Sequence, residues 1–150
     1  MKRLRIYLDT SVVGGCFDAE FSGDSEALLN MARRGEVTIL VSDVLLDELA
    51  KAPEEVASLL EALPGSSVEY VRNSAEAVYL CDRYLEANVV GPASKNDAHH
   101  VALATVAHAD LIVSWNFRHV VHFDKIRGFN AVNLQQGYLQ IDIRTPREVV

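Results

Sequence analysis

The chain has 150 residues, the common size for one domain and enough to bury a sizeable core without disulfides or metals as staples. Its 49% hydrophobic and 23% charged content excludes disordered and fibrous classes. A formal charge of −7 excludes a protein that grips a polyanion through a broad basic surface, so any nucleic-acid binding must be local, for instance at carboxylates neutralised by a divalent cation.

Strand and helix patterns alternate along the chain. The basic start MKRLR leads into an apolar run that stops at Asp9, too short for a signal-peptide core, and no later segment is long enough to span a bilayer. A soluble cytoplasmic protein with no membrane partner is expected. LRIYL (4–8) reads as a strand ending on Asp9, Thr10 and Ser11, with Gly14 and Gly15 easing the turn that follows. SGDSEALLNMARRG reads as a short helix with Arg33 and Arg34 in its last turn and Gly35 as a stop, and VTILV (37–41) as the second strand. SDVLLDELAKA starts a helix with Ser42 as N-cap, and PEEVASLLEAL opens another at Pro53 that ends at Pro64 and Gly65.

VEYV (68–71) is a third strand, and SAEAVYLCDRYLEAN puts Ala77, Cys81, Tyr84 and Leu85 on one face of a helix. SKNDAHHVALATVAHAD is apolar nearly all round after its first turn, the mark of a helix buried inside a fold. LIVS (111–114), AVNL (131–134) and LQIDI (139–143) complete the strand candidates. Short, near-continuous apolar strands between helices predict one α/β domain over 1–150, its mostly parallel sheet covered on both faces and its ligands at the carboxyl ends of strands. Cys16 and Cys81 lack C-x-x-C spacing and read as reduced thiols packed as small hydrophobes.

Three acids stand where acids carry a cost. A helical wheel for residues 43–52 groups Val44, Leu45, Leu49 and Ala52 and places Glu48 within their arc, while Asp43 and Asp47 fall on the solvated side. Glu48 therefore reads as functional, although a long glutamate can also snorkel to water. Asp97 follows Ser94 by three residues and by itself reads as a helix-capping acid; Asp9, at a strand-to-helix junction, has a capping reading of equal weight. Convergence of all three at one sheet edge would offer carboxylate oxygens to a hard cation.

The five histidines lack zinc spacing, and His100, His108, His119 and His122 read as packing, hydrogen-bonding or phosphate-facing residues. SWNFRHVVHFDKIRG is the one locally basic tract, where Arg118, Lys125 and Arg127 alternate with Trp115, Phe117 and Phe123; such a tract either holds phosphates and stacks bases or is core aromatics beside an ordinary loop.

YLDTS, SDVLLDELA, NDAHHVALA and ADLIVSWNFRHV, in that order, resemble the PIN domain, specifically the small bacterial VapC-type toxins, and the resemblance covers most of the chain from Arg5 onward. It implies a three-layer α/β/α sandwich with a mostly parallel central sheet and Mg2+- or Mn2+-dependent cleavage of RNA. It further implies a cognate antitoxin protein as partner and a homodimer. Carried over, the metal-holding catalytic acids fall on Asp9, Glu48 and Asp97, supported by a hydroxyl from Thr10 or Ser11. The pattern departs at the fourth position, where many members carry an aspartate and this chain has Asn116, which brings an oxygen but no charge and puts a second metal in doubt.

The expected chemistry is hydrolysis of an RNA phosphodiester, with Asn116 and a hydroxyl positioning the attacking water and Arg118 and His119 holding the flanking phosphate. Two rivals are a PIN fold that binds RNA or a protein without cutting, favoured by Asn116, and an aspartyl phosphatase. The latter needs a second aspartate two residues after the first, where this chain has Ser11.

Overall fold

The structure, a computed structural model, describes residues 2–150. In chain order it consists of β1 (Leu4–Leu8), α1 (Thr10–Gly15), α2 (Ser22–Arg33), β2 (Val37–Ser42), α3 (Asp43–Leu49), α4 (Glu54–Glu61) and β3 (Val68–Val71). There follow α5 (Ala75–Glu86), α6 (Lys95–Val106), β4 (Leu111–Val113), α7 (Phe123–Gln135), β5 (Asp142–Arg144) and α8 (Pro146–Val149). All pairings are parallel, in the order β3-β2-β1-β4-β5.

The apolar strands are near-continuous because both faces of the sheet are covered. Tyr7, Leu40, Ile112 and Ile143 point into a core shared with α5, α6 and α7, through Tyr84, Leu103 and Phe129. Their alternating neighbours Ile6, Leu8, Ile39, Val41 and Val113 point the other way, onto Leu28 of α2, Leu45 of α3 and Trp115. Register follows from this period of two: Ile6 lies between Ile39 and Leu111, and Leu8 pairs with Val113. The expected three layers are present.

The chain steps outward from β1 to β2 and β3, then returns to the opposite side of β1 for β4 and β5. Direction reverses between β1 and β4, which opens a crevice at their carboxyl ends. Asp9 and Ser114 are the residues that leave those two strands.

Local signals act as read for most helices. Ser42 Oγ accepts the Leu45 N–H at 3.0 Å to cap α3, Ser74 caps α5 in the same way, and α6 buries Ala98, Val101, Ala102, Leu103 and Ala104. Among the described residues no helix is long and apolar enough to cross a membrane. Cys16 and Cys81 are buried free thiols, and burial pushes both up to about 11.

Three expectations are corrected. AVNL (131–134) is not a strand but the last part of α7, where Phe129 and Val132 face inward three residues apart and buried Asn133 accepts the Tyr84 hydroxyl at 2.5 Å. A four-residue apolar run carries no period of its own, and the helix start three turns earlier, at His122, decides it. LQIDI contributes only its end, since β5 is Asp142–Arg144 and the Ile141 N–H is taken by Asn130 Oδ1 at 2.7 Å. Finally, TSVVGG is helical, so the two glycines do not form a turn. A Cβ on Gly15 would lie 2.7 Å from Ser25 Oγ and 2.9 Å from Trp115 Nε1, whereas one on Gly14 would meet nothing within 4 Å.

Candidate functional site

Asp9 is the N-cap of α1 and only 4% exposed. Its Oδ1 accepts the Ser11 N–H at 3.0 Å and the Ser11 hydroxyl at 2.5 Å; its Oδ2 accepts the Ser114 hydroxyl at 2.5 Å. Both the cap and the site readings of Asp9 thus describe the same carboxylate. Burial pushes its pKa above the usual carboxylate range, against the pull of the two serines and of His100, and the charge of Asp97 adds to the rise.

Glu48 sits one residue before the end of α3, beside buried Leu45 and Leu49, while Asp43 and Asp47 are exposed. Its side chain is partly buried, and both oxygens are engaged: Oε1 accepts from His100 Nε2 at 2.7 Å and Oε2 from the Thr10 hydroxyl. Burial would raise its pKa, but these two hydrogen bonds and the neighbouring imidazoles outweigh that and hold it below the usual range. Asp43 does more than meet solvent, since its carboxylate accepts the Asn73 N–H and ties α3 to the loop before α5.

Asp97 lies in the first turn of α6, half buried. Ser94 is the N-cap and Asp97 the acid of the first turn, as the capping reading has it, but Ser94 makes no side-chain capping hydrogen bond. Burial raises the Asp97 pKa; His119, the Asn116 amide and His100 oppose the rise, and Glu48 adds to it. Asn116 uses its Oδ1 on the backbone N–H groups of Arg118 and His119, at 3.2 and 2.9 Å. That leaves its NH2, not its carbonyl, for Asp97, so the expected oxygen for a water is already committed. Arg118 is exposed at the rim and His119 is partly buried against Asp97.

Sequence reading gave no role to Tyr7 or Ser114, and left His100 as one hydrogen-bonding histidine among several. The Tyr7 hydroxyl lies 2.7 Å from both Ser42 Oγ and His100 Nδ1, and the other nitrogen of the His100 ring meets Glu48. A buried file of Ser42, Tyr7, His100, Glu48 and Thr10 therefore connects β2, β1, α6, α3 and α1. One signal was available: His100 follows Asp97 by three residues and shares its helix face. Ser114 could be found only from strand register, because it follows Val113, the partner of Leu8.

Three carboxylates thus lie within electrostatic reach of His100, and Asp97 also within reach of Asp9 and of Glu48. No lysine or arginine is among their hydrogen-bond partners in the described residues. Three carboxylates with only imidazoles as cationic neighbours among the described residues fit a hard divalent cation in their chemistry. Among the described residues no three acid, histidine or cysteine side chains already close into a metal cage.

A family model described as PIN domain matches residues 5–118, and the chain belongs to the PIN domain family. Members of this family are generally nucleases and typically depend on divalent metal. All four positions discussed above lie inside the matched region, whereas α7, β5 and α8 lie beyond it. Among solved structures, a chain of VapBC2 from Rickettsia felis, crystallised bound to a DNA fragment from their promoter, is similar with a TM-score of 0.56. The match is 16% identical and covers 93% of this chain and 98% of that one, a likeness of fold. No curated protein matches the chain.

Proposed function

We propose that the chain is a Mg2+- or Mn2+-dependent endoribonuclease acting as the toxin of a toxin–antitoxin pair. The observation that carries the reading is the gathering of Asp9, Glu48 and Asp97 around His100 at the switch point of the sheet, with no lysine or arginine hydrogen-bonded to them among the described residues. These three carboxylates would hold the ion, which when bound supplies a water of lowered pKa and a Lewis acid at the phosphoryl oxygen. The rest is done by the chain itself. Ser11 and Ser114 fix the Asp9 carboxylate, His100 and Thr10 fix Glu48, and the Asn116 amide stands near Asp97 and favours its charged form. Arg118 and His119, at the rim, bind the phosphate beside the one that is cut. The likeness to VapBC2 supports an antitoxin protein as partner, and the VapC resemblance a second copy of the chain.

Asn116 favours one other reading, a PIN fold that holds RNA or a protein without cutting. Incubating the purified chain with a labelled single-stranded RNA separates the two. Cleavage in Mn2+ or Mg2+, its loss in EDTA, and a fall of more than about a hundredfold in Asp9→Asn and Glu48→Gln are the expected results. Parent rates in both variants would refute the scheme, and binding without cleavage in any metal would establish the second reading.

A further inference from the structure

Beside the carboxylates runs a second feature whose aromatic wall the proposed chemistry does not use. It is a cleft of about 430 Å3 lined by Ser11, Gly14, Asp18, Phe21, Trp115 and Asn116. Two of these residues also belong to the acid site: Ser11 donates to Asp9, and Asn116 faces Asp97. Its aromatic wall is tied to the core and to itself. Trp115 Nε1–H donates to buried Ser25 Oγ at 2.8 Å, and Phe21 stacks on the indole with centroids 4.3 Å apart and planes 21° from parallel. Phe117 does not line the cleft but stands beside it, its centroid 6.2 Å from that of Phe21 and 6.1 Å from that of Trp115, and it is 50% exposed, a large ring open to solvent at the edge of the cleft. Gly14 leaves the floor open, since a Cβ there would meet nothing.

We propose that this cleft seats one unpaired nucleobase, stacked on Phe117, from a nucleotide next to the phosphate that is cut. The inference rests on the nuclease reading for the identity of the strand, but the contact that tests it, on Phe117, touches none of the three carboxylates. A base and not a phosphate fits, because the lining holds an acid, Asp18, and no lysine or arginine. Arg118, the next residue after Phe117 and exposed, is placed for the backbone of the same nucleotide. A base inside a duplex already has both faces stacked and cannot use the ring, so the cleft selects single-stranded or looped RNA.

Trp115 is the only tryptophan, so its emission reports on the cleft. An RNA octamer, and the same sequence closed into a hairpin stem, are titrated into the protein in EDTA at low salt; both are then assayed for cleavage in Mn2+. The single strand should quench Trp115 and the stem should not. Phe117→Ala should weaken the single strand about tenfold, the usual loss for a stacked base. Gly14→Leu, which fills the cleft from an unobstructed helix position, should do the same, and Tyr70→Ala, a 74% exposed ring on β3, should not. Equal quenching by strand and stem overturns the proposal. So do Phe117→Ala and Gly14→Leu proteins that bind and cut like the parent while Asp9→Asn does not cut, a result that leaves the nuclease reading standing. If the parent cuts no RNA but binds it in a Phe117-dependent way, the cleft stands and the nuclease reading falls.

Discussion

Adjacent glycines of α1 should respond to alanine with opposite signs. In a helix the exchange of glycine for alanine gains roughly 0.5–1 kcal/mol from the backbone alone. At Gly14 nothing lies within 4 Å of the new methyl, so that gain is the net effect. At Gly15 the methyl would lie 2.7 Å from Ser25 Oγ and 2.9 and 3.0 Å from two atoms of the Trp115 ring. Neither neighbour can retreat freely, because Ser25 is fully buried, Phe21 is stacked on Trp115, and the two are joined by a 2.8 Å hydrogen bond. Overpacking of this kind costs about 1–3 kcal/mol, and the strained hydrogen bond about 1 more. The two variants should therefore differ by about 2–4 kcal/mol, which for a chain of this length is a gap of roughly 5–15 °C in Tm. Urea titrations followed by circular dichroism read it as a change of midpoint at constant slope. Cleavage should fall in Gly15→Ala as well, because the Trp115 N–H holds the Ser11 hydroxyl that donates to Asp9. If Gly15→Ala lies within 0.5 kcal/mol of Gly14→Ala, a threshold set by ordinary surface substitutions, the account of this contact is wrong.

The Asp9 carboxyl, raised by burial, binds a proton more readily folded than unfolded, so its ionisation costs stability as pH climbs from the ordinary aspartate value through the raised one, and the cost persists above. Asp9→Asn should thus be more stable than the parent at pH 7 in EDTA, with the difference shrinking toward pH 4, and Mn2+ should raise the Tm of the parent alone; a less stable variant at pH 7 would contradict this. Glu48 has the opposite sign, contributing stability above its ordinary value that is lost as pH falls through its lowered one. Tyr7→Phe leaves the buried His100 Nδ1 without its partner, an expected loss of about 1–3 kcal/mol in chemical denaturation accompanied by slower cleavage as Glu48 loosens. Unchanged stability would mean that the file of hydrogen bonds through His100 is incidental.

Much of the fold was legible because β1, β2 and β4 are largely apolar runs covered on both faces, and because Ser42 and Ser74 announce their helices. β5 was not, since a three-residue edge strand with only Ile143 turned inward leaves almost no pattern, and α7 hid behind Asn133, a polar residue made apolar in effect by Tyr84 and Thr105. The wheel placed Glu48 beside the buried residues of α3, where the structure has it at the margin, its side chain 26% exposed. What holds the acids could not be read locally. Ser114 and His100 reach Asp9 and Glu48 across the sheet, from 105 and 52 residues away, and only strand order brings them there.

That distance along the chain has a consequence for when the protein becomes competent. β1 emerges first but is completed on one side only by β4, so pairing at the centre of the sheet must wait for the closure of a loop of about a hundred residues, a slow step in any folding scheme. Until Ser114 and Asn116 have been synthesised, Asp9 has no donor for its second oxygen and Asp97 no amide beside it. The hydrogen bonding of Asp9 therefore cannot be complete until the chain has been made past Asn116 and β4 has paired with β1.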